Sequence, residues 1–169
     1  MTDKDDRLQR AGSQSRFPTE QLPPPDPMAR LIFEHEHAQG ISDRDLIDLL
    51  RKIEQHGAEK CTKAPKFISQ MLNHKNTTIR KSAYVSALAI LAHPENPREL
   101  LLDAYRLSLC SSNHQVSQHA ISMLPDFVDT CPEEANDLLK FGSIAYKKLP
   151  APSTETEMHL SRALTKASQ

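Results

Sequence analysis

Apolar residues recur every three or four positions through most of the chain after Pro27, a spacing typical of helices that bury one face. In the segment DRDLIDLLRKIEQHG, the apolar stripe is formed by Leu46, Leu49, Leu50 and Ile53. Ser42 stands just before this segment, and Asp45 follows three residues later, which resembles the start of a capping box. The pattern therefore predicts a well-capped helix that begins immediately after Ser42, preceded by a shorter helix from Pro27.

The remaining helical segments come in pairs that are separated by short polar loops. The pairs are KAPKFISQMLNH with TTIRKSAYVSALAILAH, RELLLDAYRLSLC with QVSQHAISMLPDFVDT, and EANDLLKFGSIAYKKL with ETEMHLSRALTKA. Asn96 precedes the second pair and Thr130 precedes the third, and both residue types are favoured as helix N-caps. Because short loops join antiparallel neighbours, each pair is predicted to form a helical hairpin.

The first two hairpins correspond to one another at an interval of 37 residues, the interval between Leu72 and Leu109. At this interval the matching pairs are Leu72 and Leu109, Ile79 and Val116, Ala83 and Ala120, and Leu91 and Val128. Two-helix repeats of about this length are typical of helical solenoids, and a β-branched residue followed four positions later by alanine resembles the HEAT repeat. We therefore predict an all-α fold, a HEAT-like α-α superhelix; an ordinary helical bundle is the alternative.

The first 26 residues lack this periodicity. They are polar, mixed in charge and rich in proline near their end, so they contain too little apolar surface to offset the entropy lost on ordering. We expect residues 1–26 to form a disordered Pro-rich arm and residues 27–169 to form one helical-repeat domain.

The composition agrees with a helical protein inside the cell. Only four glycines are available for tight turns, which disfavours hairpin-rich sheets. The three cysteines form no CxxC pair, and neither a signal peptide nor a membrane-spanning run is recognisable, so secretion is not expected. The net charge of −1 creates no overall field that would attract nucleic acid or anionic lipid.

Candidate chemistry is sparse. His35 and His37 are two residues apart and would point to different sides of a helix, and no His or Cys cluster has the short spacing of a metal site. Cys61, Cys110 and Cys131 lie at helix ends or in apolar stripes, where cysteine behaves as a small hydrophobic residue. We therefore expect no catalytic, cofactor or metal site and no enzyme activity; a cysteine hydrolase is the competing hypothesis.

A basic stretch spans residues 60–81, where Glu59 is the neighbouring acidic residue. Its members are Lys60, Lys63, Lys66, Lys75, Arg80 and Lys81. Such a cluster could contact RNA phosphates, with an affinity that depends on salt. However, Phe67 is its one aromatic residue and is expected to be buried, so nothing remains for bases to stack on. A solvated face or a protein-docking patch is favoured over RNA binding.

A second local feature is Pro125, which lies inside the helical segment HAISMLPDFVDT. Proline inside a helix removes one hydrogen bond and clashes with the preceding turn, at a cost of about 3 kcal/mol. A packed helix that bends around its neighbour would compensate for this cost. In such a helix we expect Phe127 and Val128 to turn inward, while Asp126 and Asp129 remain in water.

Around this proline the sequence resembles the extreme C-terminus of the large scaffold subunits of the Integrator complex, the Integrator complex subunit 1 family. The positions that carry the resemblance are Val116, Ala120, Leu124, Pro125, Asp126, Phe127, Cys131, Glu134, Ala135, Leu138 and Leu139, then Leu160, Ser161, Ala163 and Leu164. The resemblance covers roughly residues 98–167; upstream, to about residue 40, only the helical-repeat style agrees. The family's subunits are far longer, so the chain is expected to be a fragment, a split or shortened product, or a different helical-repeat protein.

The resemblance implies a nuclear, non-catalytic role. Members of the family are long helical-repeat platforms on which Integrator assembles, and the complex cleaves nascent RNA made by RNA polymerase II, including the 3′ ends of small nuclear RNAs. The nuclease belongs to other subunits, and the resemblance implies no functional residue here. Other subunits of a nuclear complex are therefore the expected partners, with direct RNA contact as the alternative and no membrane partner.

Overall fold

The computed structural model describes residues 41–56, 64–96 and 98–169, and every regular element in these ranges is helical. The elements are α1 (Asp43–His56), α2 (Ala64–Met71), α3 (Thr77–Leu91), α4 (Glu99–Leu109), α5 (His114–Thr130), a 3₁₀ helix (Pro132–Glu134), α6 (Ala135–Lys148) and α7 (Thr154–Ala167). The all-α prediction is confirmed for this part of the chain. The predicted N-terminal arm and the short helix expected after Pro27 lie outside the described residues.

The helices stack in two layers that follow the order of the chain. Helices α2, α4 and α6 contact one another in sequence and form what we call the first-helix layer. Helices α1, α3, α5 and α7 do the same and form the second-helix layer. Short loops join α2 to α3, α4 to α5 and α6 to α7, so each pair is a hairpin that packs on the next. This is the predicted α-α superhelix.

Mainly aliphatic side chains form one core between the two layers. All eight residues that define the 37-residue interval, from Leu72 to Val128, are at most 4% exposed. Ala83 on α3 and Ala120 on α5 are fully buried, and these two helices contact each other. Small residues permit this close approach of neighbouring helices. The interval recognised in the sequence is therefore a packing repeat.

The same interval relates two N-caps in the structure. The Asn76 side chain accepts a hydrogen bond from the amide of Thr78 at 2.8 Å, and Asn113 accepts one from the amide of Gln115 at 3.0 Å. The Asn76 amide group also donates to the carboxylate of Asp43 at 2.7 Å, which ties the start of α3 to α1. An N-cap satisfies amide groups that have no partner within the helix. Helices α3 and α5, the second helices of the first two hairpins, thus begin with the same kind of N-cap.

The first predicted cap is confirmed and two others are wrong. The Ser42 hydroxyl donates to Asp45 at 2.7 Å and accepts from its amide at 3.3 Å. Asn96, by contrast, donates to the carbonyl of Ile90 at 3.0 Å, because carbonyl groups at the end of α3 lack helical partners. Thr130 is the last residue of α5, and the chain passes through the 3₁₀ helix before α6 begins.

Helix α5 continues through Pro125, which is buried. Phe127 and Val128 are buried and Asp126 and Asp129 are exposed, which confirms the predicted orientation of these four side chains. Since proline has no amide hydrogen, the helix loses one internal bond here, and the burial of two large apolar neighbours offsets that loss. The predicted bend of the helix stays a prediction.

Helix α6 approaches α5 closely at Gly142. A β-carbon at this position would lie 2.5 Å from Cδ2 of Leu124, which is itself fully buried. Such a separation is far shorter than van der Waals contact, so a larger residue would force the buried Leu124 side chain to shift. Glycine at this site is therefore explained by packing between the second and third hairpins.

Candidate interaction surface

An aromatic cluster joins the first two hairpins. The rings of Tyr105 on α4 and Phe127 on α5 are stacked, with centroids 3.7 Å apart and planes within 4°. Tyr84 on α3 meets both rings edge-on, at 6.0 Å and 6.1 Å, and also meets His119 on α5 at 5.1 Å. Edge-to-face pairs of this kind add stability beyond the area that they bury. The cluster holds three consecutive helices in fixed relation.

The two phenols of this cluster are unsuited to acid-base chemistry at neutral pH. Burial raises the pKa of Tyr84 to about 12, and burial together with the charges of Tyr84 and Asp126 raises the pKa of Tyr105 well above its usual value. The Tyr105 hydroxyl donates to the carbonyl of Ala120 at 2.8 Å. The nearby Ser108 hydroxyl opposes this rise in the pKa of Tyr84, although it is not placed for a hydrogen bond of standard geometry to the phenol. Both rings therefore serve packing.

Arg80, which the sequence suggested as a surface contact residue, is only 2% exposed. Its Nη1 donates to the carbonyl oxygens of His74 at 2.8 Å and Lys75 at 3.0 Å, and its Nη2 donates to the hydroxyl of Thr77 at 3.1 Å. Its Nε donates to Nδ1 of His119 at 3.3 Å. The guanidinium thus clamps the turn between α2 and α3 onto α5. This burial removes Arg80 from the candidate contact residues.

A side chain at the equivalent position of the next hairpin also hydrogen-bonds a backbone carbonyl group. Ser117 follows Arg80 at the 37-residue interval, is buried, and donates from its hydroxyl to the carbonyl of Leu109 at 2.8 Å. In both hairpins, then, the fourth residue of the second helix hydrogen-bonds carbonyl groups at or just beyond the end of the first helix. The aligned positions of Arg80 and Ser117 in the two hairpins could have suggested a structural role, but the positive charge of Arg80 indicated a surface position.

The other basic residues of the predicted patch do not form a single face. Lys60 and Lys63 lie outside the described residues. Lys66, Lys75 and Lys81 are exposed, but Lys66 is on α2 in the first-helix layer and Lys81 is on α3 in the second-helix layer. Lys75 lies in the loop between them. The described part of the basic stretch therefore wraps around one hairpin.

Ion pairs neutralise much of the acidic side of the chain. The pairs are Asp129 with Lys166 at 3.1 Å, Glu134 with Arg98 at 3.3 Å, and Asp137 with Arg106 at 2.8 Å. The first pair links α5 to α7, and the last links α4 to α6. Exposed pairs contribute at most about 1 kcal/mol each. These pairs connect neighbouring hairpins but contribute little to the stability of the fold.

A polar cleft of about 390 Å³ opens between the start of α3, α5 and the start of α7. Arg80, His119 and His159 line it, with Glu155 lying 3.8 Å from His159. Burial, followed by the charges of Arg80 and Lys81, lowers the pKa of His119 to about 4, so its ring is neutral at pH 7. Because its Nδ1 accepts from Arg80, the ring proton is assigned to Nε2.

The described ranges contain no cluster of metal-ligating side chains, and their buried cysteine is not ionised. No three His, Cys, Asp or Glu side chains converge there as metal ligands. Cys131 is fully buried, and burial raises the pKa of its thiol although Arg98 acts in the opposite direction, so the thiol stays protonated. None of the helices between residues 41 and 169 that the structure describes has the length and apolar character to cross a bilayer.

Comparison with known protein families gives a match. The family model described as "Integrator complex subunit 1, R4 domain" matches residues 35–132, more than half of the chain. The chain belongs to the Integrator complex subunit 1 family. No curated protein and no solved structure gives a significant match. The R4 match covers α1 to α5, whereas the resemblance in the sequence was placed at roughly residues 98–167; the two share the hairpin that contains Pro125.

The stability of the R4 domain should fall as the pH drops from 6.5 towards about 4. The pKa of His119 is lowered from 6.5 to about 4 in the folded chain. Within this window the unfolded chain takes up a proton that the folded chain does not, so acidification favours unfolding. Urea unfolding at pH 7, 5.5 and 4.5 would measure the change. A His119→Asn variant should show a flatter pH dependence, and an unchanged slope would contradict the assignment.

Proposed function

We propose that this chain is a non-catalytic interaction subunit of an Integrator-type complex in the nucleus, acting in 3′-end processing of small nuclear RNA and in RNA polymerase II transcription. The observation that carries the proposal is the match of the R4 domain of Integrator complex subunit 1 to residues 35–132. This match spans the first two complete hairpins, which contribute many of the buried core residues.

The physical character of the fold supports this role. A stack of helical hairpins has a large surface for its mass, and its regular layers present repeated side chains to partners. Among the ionisable groups inside the stack, Arg80 and the two core tyrosines are used for packing or for internal hydrogen bonds. Large aliphatic side chains remain exposed on the outside. This distribution suits docking of proteins better than chemistry.

Affinity purification from nuclear extract tests the proposal. The tagged chain should recover other Integrator subunits, identified by mass spectrometry. A matched control is Leu124→Asp, which places a charge at a fully buried position of α5 and should prevent the hairpins from stacking. We expect the wild-type chain to retain partners that the Leu124→Asp chain loses. Recovery of no Integrator subunit by the wild-type chain would refute the proposal.

Direct RNA binding is the second candidate. Lys66, Lys75 and Lys81 are exposed, and no ion pair involves them within the described ranges. Phe67 is 2% exposed and so presents no stacking surface for a base. An RNA-binding chain should lose affinity steeply as salt increases, and glutamate at all three lysines should abolish the binding. Absence of measurable binding at low salt would exclude this candidate.

A further inference from the structure

An apolar ridge lies on the outer side of the first-helix layer. It consists of Leu107 and Leu100 on α4 and Ile144 on α6, which are 67%, 46% and 40% exposed. Leu100 and Leu107 are two helical turns apart and therefore share one side of α4, about 10 Å from each other. Ile144 follows Leu107 at the 37-residue interval, which places it at the equivalent position of the adjacent helix, about 10 Å away.

One guanidinium pairs with two of the carboxylates beside this ridge. Arg106 donates from Nη1 to Asp103 at 2.8 Å and from Nε to Asp137 at 2.8 Å, which connects α4 to α6. Both carboxylates share one guanidinium, so the three groups together carry a net charge of −1.

Lysines without an ion-pair partner in the described ranges surround Ile144. They are Lys140, Lys147 and Lys148, all exposed on α6. Lys140 and Lys147 lie about one turn on either side of Ile144, and Lys148 lies one turn beyond it on the same side of the helix. The rim of the ridge is therefore basic around Ile144, although the whole chain carries a net charge of −1.

A groove of about 310 Å³ lies beside the lysine rim of α6 and is lined by none of the three ridge residues. It lies between the C-terminal ends of α4 and α6 and the start of α5, and Leu109, Ala145 and Leu149 supply much of its apolar lining. Lys148 stands at its edge. The groove could accept one large apolar side chain, with the positive charge of Lys148 next to it.

We propose that the ridge and its groove bind an acidic amphipathic helix of a protein partner. Such a helix repeats its apolar residues at intervals of about 10 Å, which matches the spacing along and across the ridge. Carboxylates that flank its apolar stripe would meet Lys140, Lys147 and Lys148. The inference rests on the proposed scaffold function and names the face and the partner class for it.

A second copy of the chain fits this surface less well. A two-fold interface places the same patch on both subunits, so a dimer through the ridge would bring two copies of the Lys140, Lys147 and Lys148 rim into one interface. Like charges placed opposite one another disfavour association. The basic rim therefore selects for an acidic partner over self-association through the ridge.

Binding of synthetic helices to the purified full chain tests the proposal directly. Two fluorescent peptides of about 16 residues would carry the same leucine stripe, one flanked by glutamates and the other by lysines. We expect the glutamate peptide to bind, and the lysine peptide to bind at least about tenfold more weakly. Leu107→Glu and the double variant Lys147→Glu/Lys148→Glu should each reduce binding of the glutamate peptide by a similar factor.

The matched control is Val85→Glu, which also replaces an exposed aliphatic residue with glutamate. Val85 is 37% exposed and lies on α3 in the opposite layer. This variant should bind the glutamate peptide like the wild-type chain. Equal binding of both peptides, binding of neither, or binding that Leu107→Glu leaves unchanged would overturn the proposal. So would a dimer, seen by sedimentation, that Leu107→Glu converts to monomer.

The peptide experiment is independent of the purification experiment. If the chain recovers Integrator subunits but ignores the glutamate peptide, the ridge is not the docking face and the scaffold function stands. If the peptide binds as expected but no Integrator subunit is recovered, the scaffold function fails and the ridge remains a binding surface. When both succeed, Leu107→Glu should reduce recovery of at least one subunit that Val85→Glu retains.

Discussion

Replacing Phe127 with alanine is expected to destabilise the folded chain by about 3–5 kcal/mol. Phe127 is fully buried, stacks on Tyr105 at 3.7 Å and meets Tyr84 edge-on. The substitution removes apolar area and leaves a cavity where three helices from two hairpins meet. Because typical domains are stable by only about 5–15 kcal/mol, the loss should be a large fraction of the total. Chemical denaturation followed by circular dichroism would measure it.

An exposed residue provides the control for Phe127→Ala. Leu107→Ala also truncates a large apolar side chain, but one that is 67% exposed, and should change stability by no more than about 0.5 kcal/mol. A double-mutant cycle with Tyr105→Ala should reveal coupling of at least about 0.5 kcal/mol between the two stacked rings. Additive losses from Phe127→Ala and Tyr105→Ala would show that the stack contributes nothing beyond its buried area.

Arg80→Met is expected to destabilise the chain by about 2–4 kcal/mol and to raise the pKa of His119. Methionine fills similar space, but the carbonyls of His74 and Lys75 would lose their donors in a buried setting. Each unsatisfied buried group costs about 1–3 kcal/mol. Removal of the adjacent positive charge would also allow His119 to protonate more easily. Denaturation and an NMR titration of His119 would measure the two effects.

Lys81→Met separates these two effects. Lys81 is exposed, and its charge also lowers the pKa of His119, so its removal should raise that pKa while stability stays within about 0.5 kcal/mol. Arg80→Lys should also destabilise the fold, because one ammonium cannot reproduce the fork that reaches two carbonyls, a hydroxyl and an imidazole. If Arg80→Met is as stable as Lys81→Met, the clamp is not part of the fold's stability.

Both substitutions test the geometry on which the proposed docking face depends. The ridge exists because α4 and α6 lie side by side, and that arrangement requires the hairpins to stack in order. Phe127 and Arg80 lie between the hairpins and not on the ridge. Their variants should therefore weaken peptide binding only under conditions where the fold itself is lost, whereas Leu107→Glu should weaken binding at full stability.

Periodicity along the chain was enough to predict the helices, their pairing and the buried interval of 37 residues. A helix needs only local hydrogen bonds and one apolar stripe, so Ile79, Ala83 and Val116 could be assigned to the core before any neighbour was known. The inward position of Phe127 after Pro125 followed in the same way. The Integrator resemblance was recognised from the same local positions. Helix ends were less predictable, because Asn96 and Thr130 could serve the preceding helix or the following one.

Only the tertiary structure decided which charged residues are buried and which apolar residues stay exposed. Arg80 is buried because carbonyl groups from its own turn and a histidine 39 residues away surround its guanidinium, and no local pattern contains that histidine. The lysines of the predicted basic patch were separated when α2 and α3 entered different layers. Leu107 and Ile144 became a ridge because no helix covers the outer side of the first-helix layer in the described ranges. Helical spacing predicts which residues share a face of a helix. Whether another helix covers that face depends on the packing of the whole fold.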